Sequence, residues 1–168
     1  MDRQILHSLN PPMLSTTQRL AISKYRHPSP NQAEVEKSPV FRTLSFTNNL
    51  RTLILSQCNN LTFILALNPK ENPSKLVLCP NLEELFLYIK LQGQLHIECL
   101  ISMAKNRALA GAALSSITMV RPGKPVPDGG VLKLRNHVAH VECRVDHELP
   151  AWDDVPCEGD DEDEKIGR

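Results

Sequence analysis

A chain of 168 residues with 41% apolar side chains is long enough to bury one substantial core, and with only 4% aromatics that core has to be aliphatic. Lys plus Arg equals Asp plus Glu at 19 each, but residues 1–152 carry 17 bases and 11 acids while the last 16 residues carry 2 and 8. The bases are scattered among leucines, which argues against nucleic-acid binding, and the longest apolar run, Phe63-Ile-Leu-Ala-Leu67, is far too short to span a bilayer.

Taken from the amino terminus, residues 1–13 contain the Pro11-Pro12 break and no recognisable capping unit, and are expected to be poorly ordered. A first strand is expected near 19–25, then a polar return through His27-Pro-Ser-Pro-Asn-Gln32 and Glu34 to Lys37. Phe41-Arg-Thr-Leu44 leads into a second strand at 52–56. Leu61 to Leu67 reads as an apolar turn, and the two Asn-Pro pairs of Asn68-Pro-Lys-Glu-Asn-Pro-Ser74 disfavour helix by restricting the residue before each proline. A third strand follows at 84–89. No helix breaker interrupts Gln94 to Leu109, where Ile97, Leu100, Ile101, Ala104 and Ala108 fall on one helical stripe. Gly111 stands where helices commonly end in a left-handed residue.

A fourth strand is expected at 115–120, an irregular Pro- and Gly-rich loop at 121–130, a short helical turn at 131–136 and a fifth strand at 137–145. The run Glu158-Gly-Asp-Asp-Glu-Asp-Glu164 cannot bury enough apolar surface to offset its ordering entropy, so residues 151–168 are expected to form a disordered acidic tail.

The strands share a frame. Anchors Leu20, Leu53, Leu85 and Ile117 lie 33, 32 and 32 positions apart. Leu50-Arg-Thr-Leu53-Ile-Leu55-Ser-Gln-Cys58-Asn-Asn-Leu61 fills every anchor of L-x-x-L-x-L-x-x-C/N-x-x-L, the leucine-rich-repeat pattern. Leu82-Glu-Glu-Leu85-Phe-Leu87 and Leu114-Ser-Ser-Ile117-Thr-Met119 repeat its first half. Thr17-Gln-Arg-Leu20-Ala-Ile22 is a degenerate earlier copy, and Val138-Ala-His-Val141-Glu-Cys143 follows after a shorter gap. Each such unit is one strand plus a return segment, which buries its apolar face only against neighbours. The expected fold is therefore α/β: a short open leucine-rich-repeat solenoid over residues 14–150, with parallel strands and irregular return segments.

In this frame the anchors point inward and the residues between them alternate outward onto a concave face. The outward rows are Arg19, Ala21, Ser23; Thr52, Ile54, Ser56; Glu84, Phe86, Tyr88; Ser116, Thr118, Val120; and His140, Glu142, Arg144. Ile54, Phe86 and Tyr88 make an apolar and aromatic centre with polar flanks, the composition of a protein-binding surface. The candidate protein-binding residues are Ile54, Glu84, Phe86, Tyr88, Thr118, Val120, His140, Glu142 and Arg144. The competing expectation is that another segment, such as the 121–130 loop, covers this centre as core.

His137-x-x-His140-x-x-Cys143, with Asp146 and His147 nearby, resembles a metal-ligand cluster and would serve a metal-dependent enzyme. Strand alternation argues against it, because His137 and Cys143 would point to one face and His140 to the other. Neither G-x-S-x-G nor G-x-x-x-x-G-K-[ST] occurs, so no enzyme, metal or cofactor is expected. Cys58 reads as a structural thiol at a strand end, since nothing cationic adjoins it. Five cysteines without a C-x-x-C pair suit reduced thiols in a cytoplasmic or nuclear protein, unsecreted and without a membrane span.

The segments Leu53-Ile-Leu-Ser-Gln-Cys-Asn-Asn-Leu61, Leu78-Cys-Pro-Asn-Leu-Glu-Glu-Leu85 and Val138-Ala-His-Val-Glu-Cys143, followed by Pro150-Ala-Trp-Asp-Asp154, resemble the carboxy-terminal part of fungal F-box and leucine-rich-repeat proteins over roughly residues 14–156. The resemblance implies a ubiquitin-ligase adaptor, in which an amino-terminal F-box docks to the ligase scaffold and the repeats choose a ubiquitination substrate as partner. Residues 1–13 are too few for an F-box, a compact helical module. The alternative expectation is accordingly a truncated relative or a fragment without independent activity.

Overall fold

A computed structural model describes residues 15–25, 39–71, 76–89, 96–121 and 128–145. Strands and helices alternate: β1 (Arg19–Ser23), α1 (Pro39–Ser45), β2 (Thr52–Ser56), α2 (Asn60–Leu67), β3 (Glu84–Tyr88), α3 (Ile97–Leu109), β4 (Ser116–Val120), α4 (Asp128–Arg135) and β5 (His140–Arg144). The expected amino-terminal segment and acidic tail lie outside the described residues.

The five strands form one parallel sheet in sequence order, β1-β2-β3-β4-β5. Leu20, Leu53, Leu85, Ile117 and Val141 stand opposite one another, and so do Ile22, Leu55, Leu87, Met119 and Cys143. The shorter gap before β5 leaves the register unchanged. A slip of one residue would turn a whole strand's apolar set to the other face, so the anchors hold the pairing in place. Apart from Leu20, which packs against it half-buried, and Cys143, which is exposed, the rung residues share one buried cluster with Val40 and Leu44 of α1, Phe63, Ile64 and Leu67 of α2, Leu100 and Met103 of α3, and Leu134 of α4. Parallel neighbours need crossover connections, and the helices supply them while sealing the rungs.

Several boundaries differ from the sequence reading. β1 stops at Ser23, short of Tyr25, because Lys24 turns left-handed at φ 55°. β5 begins at His140 rather than 137, since the amides of His137 and Val138 both donate to the Leu134 carbonyl and close the end of α4. β3 ends at Tyr88 and β4 begins at Ser116, each one residue inside the expected span.

The return segments are more regular than expected. α1 and α2 are helices where the sequence suggested a lead-in and an apolar turn. α2 buries six of its eight residues, so it has no polar face to reveal a helical period. Its start is marked locally: the Asn59 side chain accepts the Leu61 amide at 3.2 Å, and Pro69 follows the C-cap Asn68. α4 begins at Asp128, inside the loop expected to be irregular.

On α3 the buried stripe is Leu100, Met103, Ala104 and Arg107, rotated from the expected one, and Ile101 and Ala108 are only half-buried. Gly111 does end this helix left-handed, at φ 76°. The Gly111 amide donates to Ala108 and the Ala112 amide to Arg107, so two carbonyls the helix would leave unpaired are satisfied.

A polar ladder runs beside the apolar one at the same period. Asn49 Nδ2 donates to the Ser15 carbonyl at 2.7 Å, and Asn81 Nδ2 to the Asn48 carbonyl at 3.0 Å. Thr47 Oγ1 and Cys79 Sγ, 32 residues apart, lie 3.1 Å from one another in the core. Cys79 is itself left-handed at φ 49°, in the slot that Gly111 fills one period later.

Candidate functional site

The sheet register brings all nine candidate residues onto the face opposite the helices, in three ladders. Arg19, Thr52, Glu84, Ser116 and His140 form the first, Ala21, Ile54, Phe86, Thr118 and Glu142 the second, and Ser23, Ser56, Tyr88, Val120 and Arg144 the third. Their exposure is uneven. Glu84, His140 and Arg144 are exposed, and Phe86, Tyr88 and Glu142 are half-buried. Ile54, Thr118 and Val120 are buried, at 8%, 4% and 5% exposure. Ile54 and Thr118 stand on either side of Phe86, and Val120 stands beside Tyr88. These three residues therefore form the floor of the face, and the two aromatics of β3 rise from it.

The polar flanks are already partly paired. Thr52 Oγ1 donates to Glu84 Oε2 at 3.0 Å, and Arg51 meets Glu83 at 3.3 Å just before the strands begin. On β5, Arg144 Nε donates to Glu142 Oε1 at 2.8 Å and Nη2 to Oε2 at 3.0 Å, a fork that suits the carboxylate geometry. Arg144 lowers the Glu142 pKa, chiefly through these hydrogen bonds. Residues 122–127, within the loop weighed as a cover for the aromatics, lie outside the described residues.

Burial pushes the Cys58 and Cys79 thiols up to about 11 and also raises the Cys143 thiol, so none is an activated nucleophile at neutral pH. Cys58 Sγ donates to the carbonyls of Ile22 and Ser56, both at 3.3 Å, which ties the ends of β1 and β2 together. Among the described residues no three His, Cys, Asp or Glu side chains converge to hold a metal ion. His137 sits in the turn after α4, so the face alternation expected for a strand there does not apply to it; Asp146 and His147 lie outside the described residues. No helix among the described residues is long and apolar enough to cross a membrane.

Two polar groups supporting the sheet escaped the sequence reading. Arg107 is fully buried and donates to the carbonyls of Leu78 at 2.7 Å and Cys79 at 2.8 Å. Asn68 Oδ1 accepts from Asn106 Nδ2 at 3.0 Å and from the Lys70 amide at 3.2 Å, which joins the end of α2 to α3. An arginine inside an otherwise apolar helical stripe was the one available signal for the first. Comparison of the chain with protein-family models, with curated proteins and with solved structures finds no match in any of the three.

Proposed function

We propose that this chain is a protein-interaction module of leucine-rich-repeat type, an open solenoid that binds a partner protein across the outward face of its sheet. Phe86 and Tyr88 form the centre of the contact, and Glu84, His140, Glu142 and Arg144 form its polar rim. The observation that carries this reading is the contrast on β3. Leu85 and Leu87 are sealed against the helices, while the alternating Phe86 and Tyr88 keep solvent contact on the other side. Large aromatics on a rigid strand are effective anchors because they bring much apolar area at a small entropy cost.

The resemblance to F-box and leucine-rich-repeat proteins favours a ubiquitination substrate as that partner. Affinity capture from cell extract, wild type beside a Phe86→Ala/Tyr88→Ala double variant that still unfolds in one cooperative thermal transition, tests the surface. A partner lost with the aromatics supports the reading, and a set of bound proteins indifferent to them removes it. Ubiquitin-ligase scaffold subunits among the captured proteins would extend the reading to adaptor function, and their absence would restrict it to binding alone.

A further inference from the structure

Each internal joint of the sheet uses the same two flanking hydrogen bonds. The first residue of a strand donates to the residue before the preceding strand: Thr52 to Gln18 at 3.0 Å, Glu84 to Arg51 at 2.9 Å, Ser116 to Glu83 at 3.0 Å and His140 to Ser115 at 2.9 Å. The residue after a strand donates to the last residue of the next: Lys24 to Ser56, Gln57 to Tyr88 and Ile89 to Val120 at 2.9 Å, and Arg121 to Arg144 at 3.0 Å.

In a parallel strand alternate residues bond to opposite sides. On β5, His140, Glu142 and Arg144 are turned to β4, so the backbone groups of Val141 and Cys143 face the outer edge. On β1, Leu20 and Ile22 are turned to β2, so those of Arg19, Ala21 and Ser23 face the other edge. Neither edge pairs with a further strand among the described residues.

Some side chains at the β5 end are also left open, beside the buried Val138 and Val141. Cys143 occupies the same rung as the fully buried Met119, yet it is exposed. Val145 is 43% exposed and Leu132 of α4 is 61% exposed. Gly130 abuts Ile97, and Lys133 pairs with Glu98 at 3.2 Å, which marks the side of α4 that faces α3; Leu132 lies on the opposite side. At the other end Leu20 is only half-buried, whereas Leu53, Leu85 and Ile117 on its rung are sealed.

We propose that the β5 edge pairs with the β1 edge of a second copy of this chain, extending the parallel sheet head to tail. β1 carries the frame that the open end lacks. Continued in register, Leu20 meets Val141 and Ile22 meets Cys143, the Arg19 amide reaches the Ala139 carbonyl, and the Val145 amide reaches the Ser23 carbonyl. That is the bond pattern of all four internal joints. On the outward face the new neighbours are His140 with Arg19, Glu142 with Ala21 and Arg144 with Ser23, so no acid opposes an acid. The contact is heterologous and leaves a free edge at each end, so it propagates beyond a dimer. It uses the sheet edges and stands apart from the reading of the outward face.

Sedimentation velocity of the full chain in reducing buffer, over a concentration series, tests it. The wild type is expected to exceed twice the monomer mass as concentration rises. Cys143→Pro and Ala21→Pro each remove one outward-facing edge amide and no internal ladder bond, a position where a strand tolerates proline. Each variant alone is expected to stay monomeric, and an equimolar mixture is expected to form one-to-one dimers and nothing larger. Cys143→Lys, which leaves the backbone unaltered and sets an ammonium in the joint, should behave as Cys143→Pro does. A wild type that stays monomeric throughout, an Ala21→Pro variant that still dimerises through β5 alone, or a mixture that stays monomeric would each overturn the proposal.

Discussion

Arg107 Nη2 in the last turn of α3 donates to the carbonyl of Cys79, 28 residues earlier, at 2.8 Å. Nη1 takes the neighbouring Leu78 carbonyl at 2.7 Å. The guanidinium thus clasps the left-handed bend that aims the chain into β3, the strand bearing both aromatics of the outward face. The cation sits among apolar neighbours, its Nε has no hydrogen-bond partner, and burial lowers its pKa. Arg107→Ala should cost roughly 3 to 5 kcal/mol, because it removes the guanidinium's bonds to two buried carbonyls, leaving the Cys79 carbonyl with the Leu82 amide alone, and opens a cavity. Arg107→Met fills the space and removes the desolvated charge, so it should cost less. Urea unfolding with an unchanged m value would show this order, and equal losses would mean that the hydrogen bonds alone matter.

The outward face divides into a buried floor and two half-exposed aromatics, and the division has a stability signature. Ile54→Ala, at a position 8% exposed, should cost about 1 to 3 kcal/mol. Phe86→Ala and Tyr88→Ala remove side chains that are half in solvent and should cost less per atom removed. Thermal midpoints of the three single variants check this. A loss per atom removed at Phe86 larger than that at Ile54 would make the aromatic part of the core.

The buried thiols make stability fall in alkali. Burial raises Cys79 from 9.0 to about 11, so the folded state favours the protonated form. That contribution is fully present below 9.0 and disappears as pH rises through about 11, a loss of roughly 2 to 3 kcal/mol. Cys79→Ala should flatten this part of the pH profile while lowering stability at neutral pH. Thiol-reagent kinetics at neutral pH should show the exposed Cys143 reacting faster than the buried Cys79.

Adjacent glycines in α4 should respond in opposite directions to the same substitution. A Cβ on Gly130 would lie 2.5 Å from Ile97 Cγ1, so Gly130→Ala must either displace the Ile97 side chain or move α4 away from α3. Gly129 has open space, and alanine there gains helix propensity of about 0.5 to 1 kcal/mol. Calorimetric midpoints should fall for the first variant and rise for the second.

Glu142 should titrate below the ordinary 4.5 of a glutamate because Arg144 holds its carboxylate form. Carboxyl chemical shifts followed through an acid titration should show this, and Arg144→Ala should bring the midpoint back towards 4.5. The pair lies at the surface, so global stability should change little with either variant.

Much of the sheet was legible before any coordinates. A strand has a two-residue period and a one-sided core, so the recurring leucines named both the rungs and the alternating outward rows, down to the pairing of Phe86 with Ile54 and Thr118. The end of α3 at Gly111 was legible for the same local reason, since a left-handed residue that closes a helix is written as glycine. α1 and α2 were not: both are short, and α2 is buried around most of its circumference, so the contrast between polar and apolar positions that betrays a helix is missing.

By itself, then, the sequence determined the frame: which residues form strands, which side chains share a face, and the spacing that keeps five strands in one register. Those features depend on interactions that repeat along the chain, and repetition is visible in one dimension. Tertiary structure alone decided that Ile54, Thr118 and Val120 are floor while Phe86 and Tyr88 stay half exposed, that Arg107 is buried as a clasp, and that Cys143 is left uncovered. Burial depends on which neighbour lies alongside, and an arginine that is exposed on one helix face is sealed on another by residues far away in sequence.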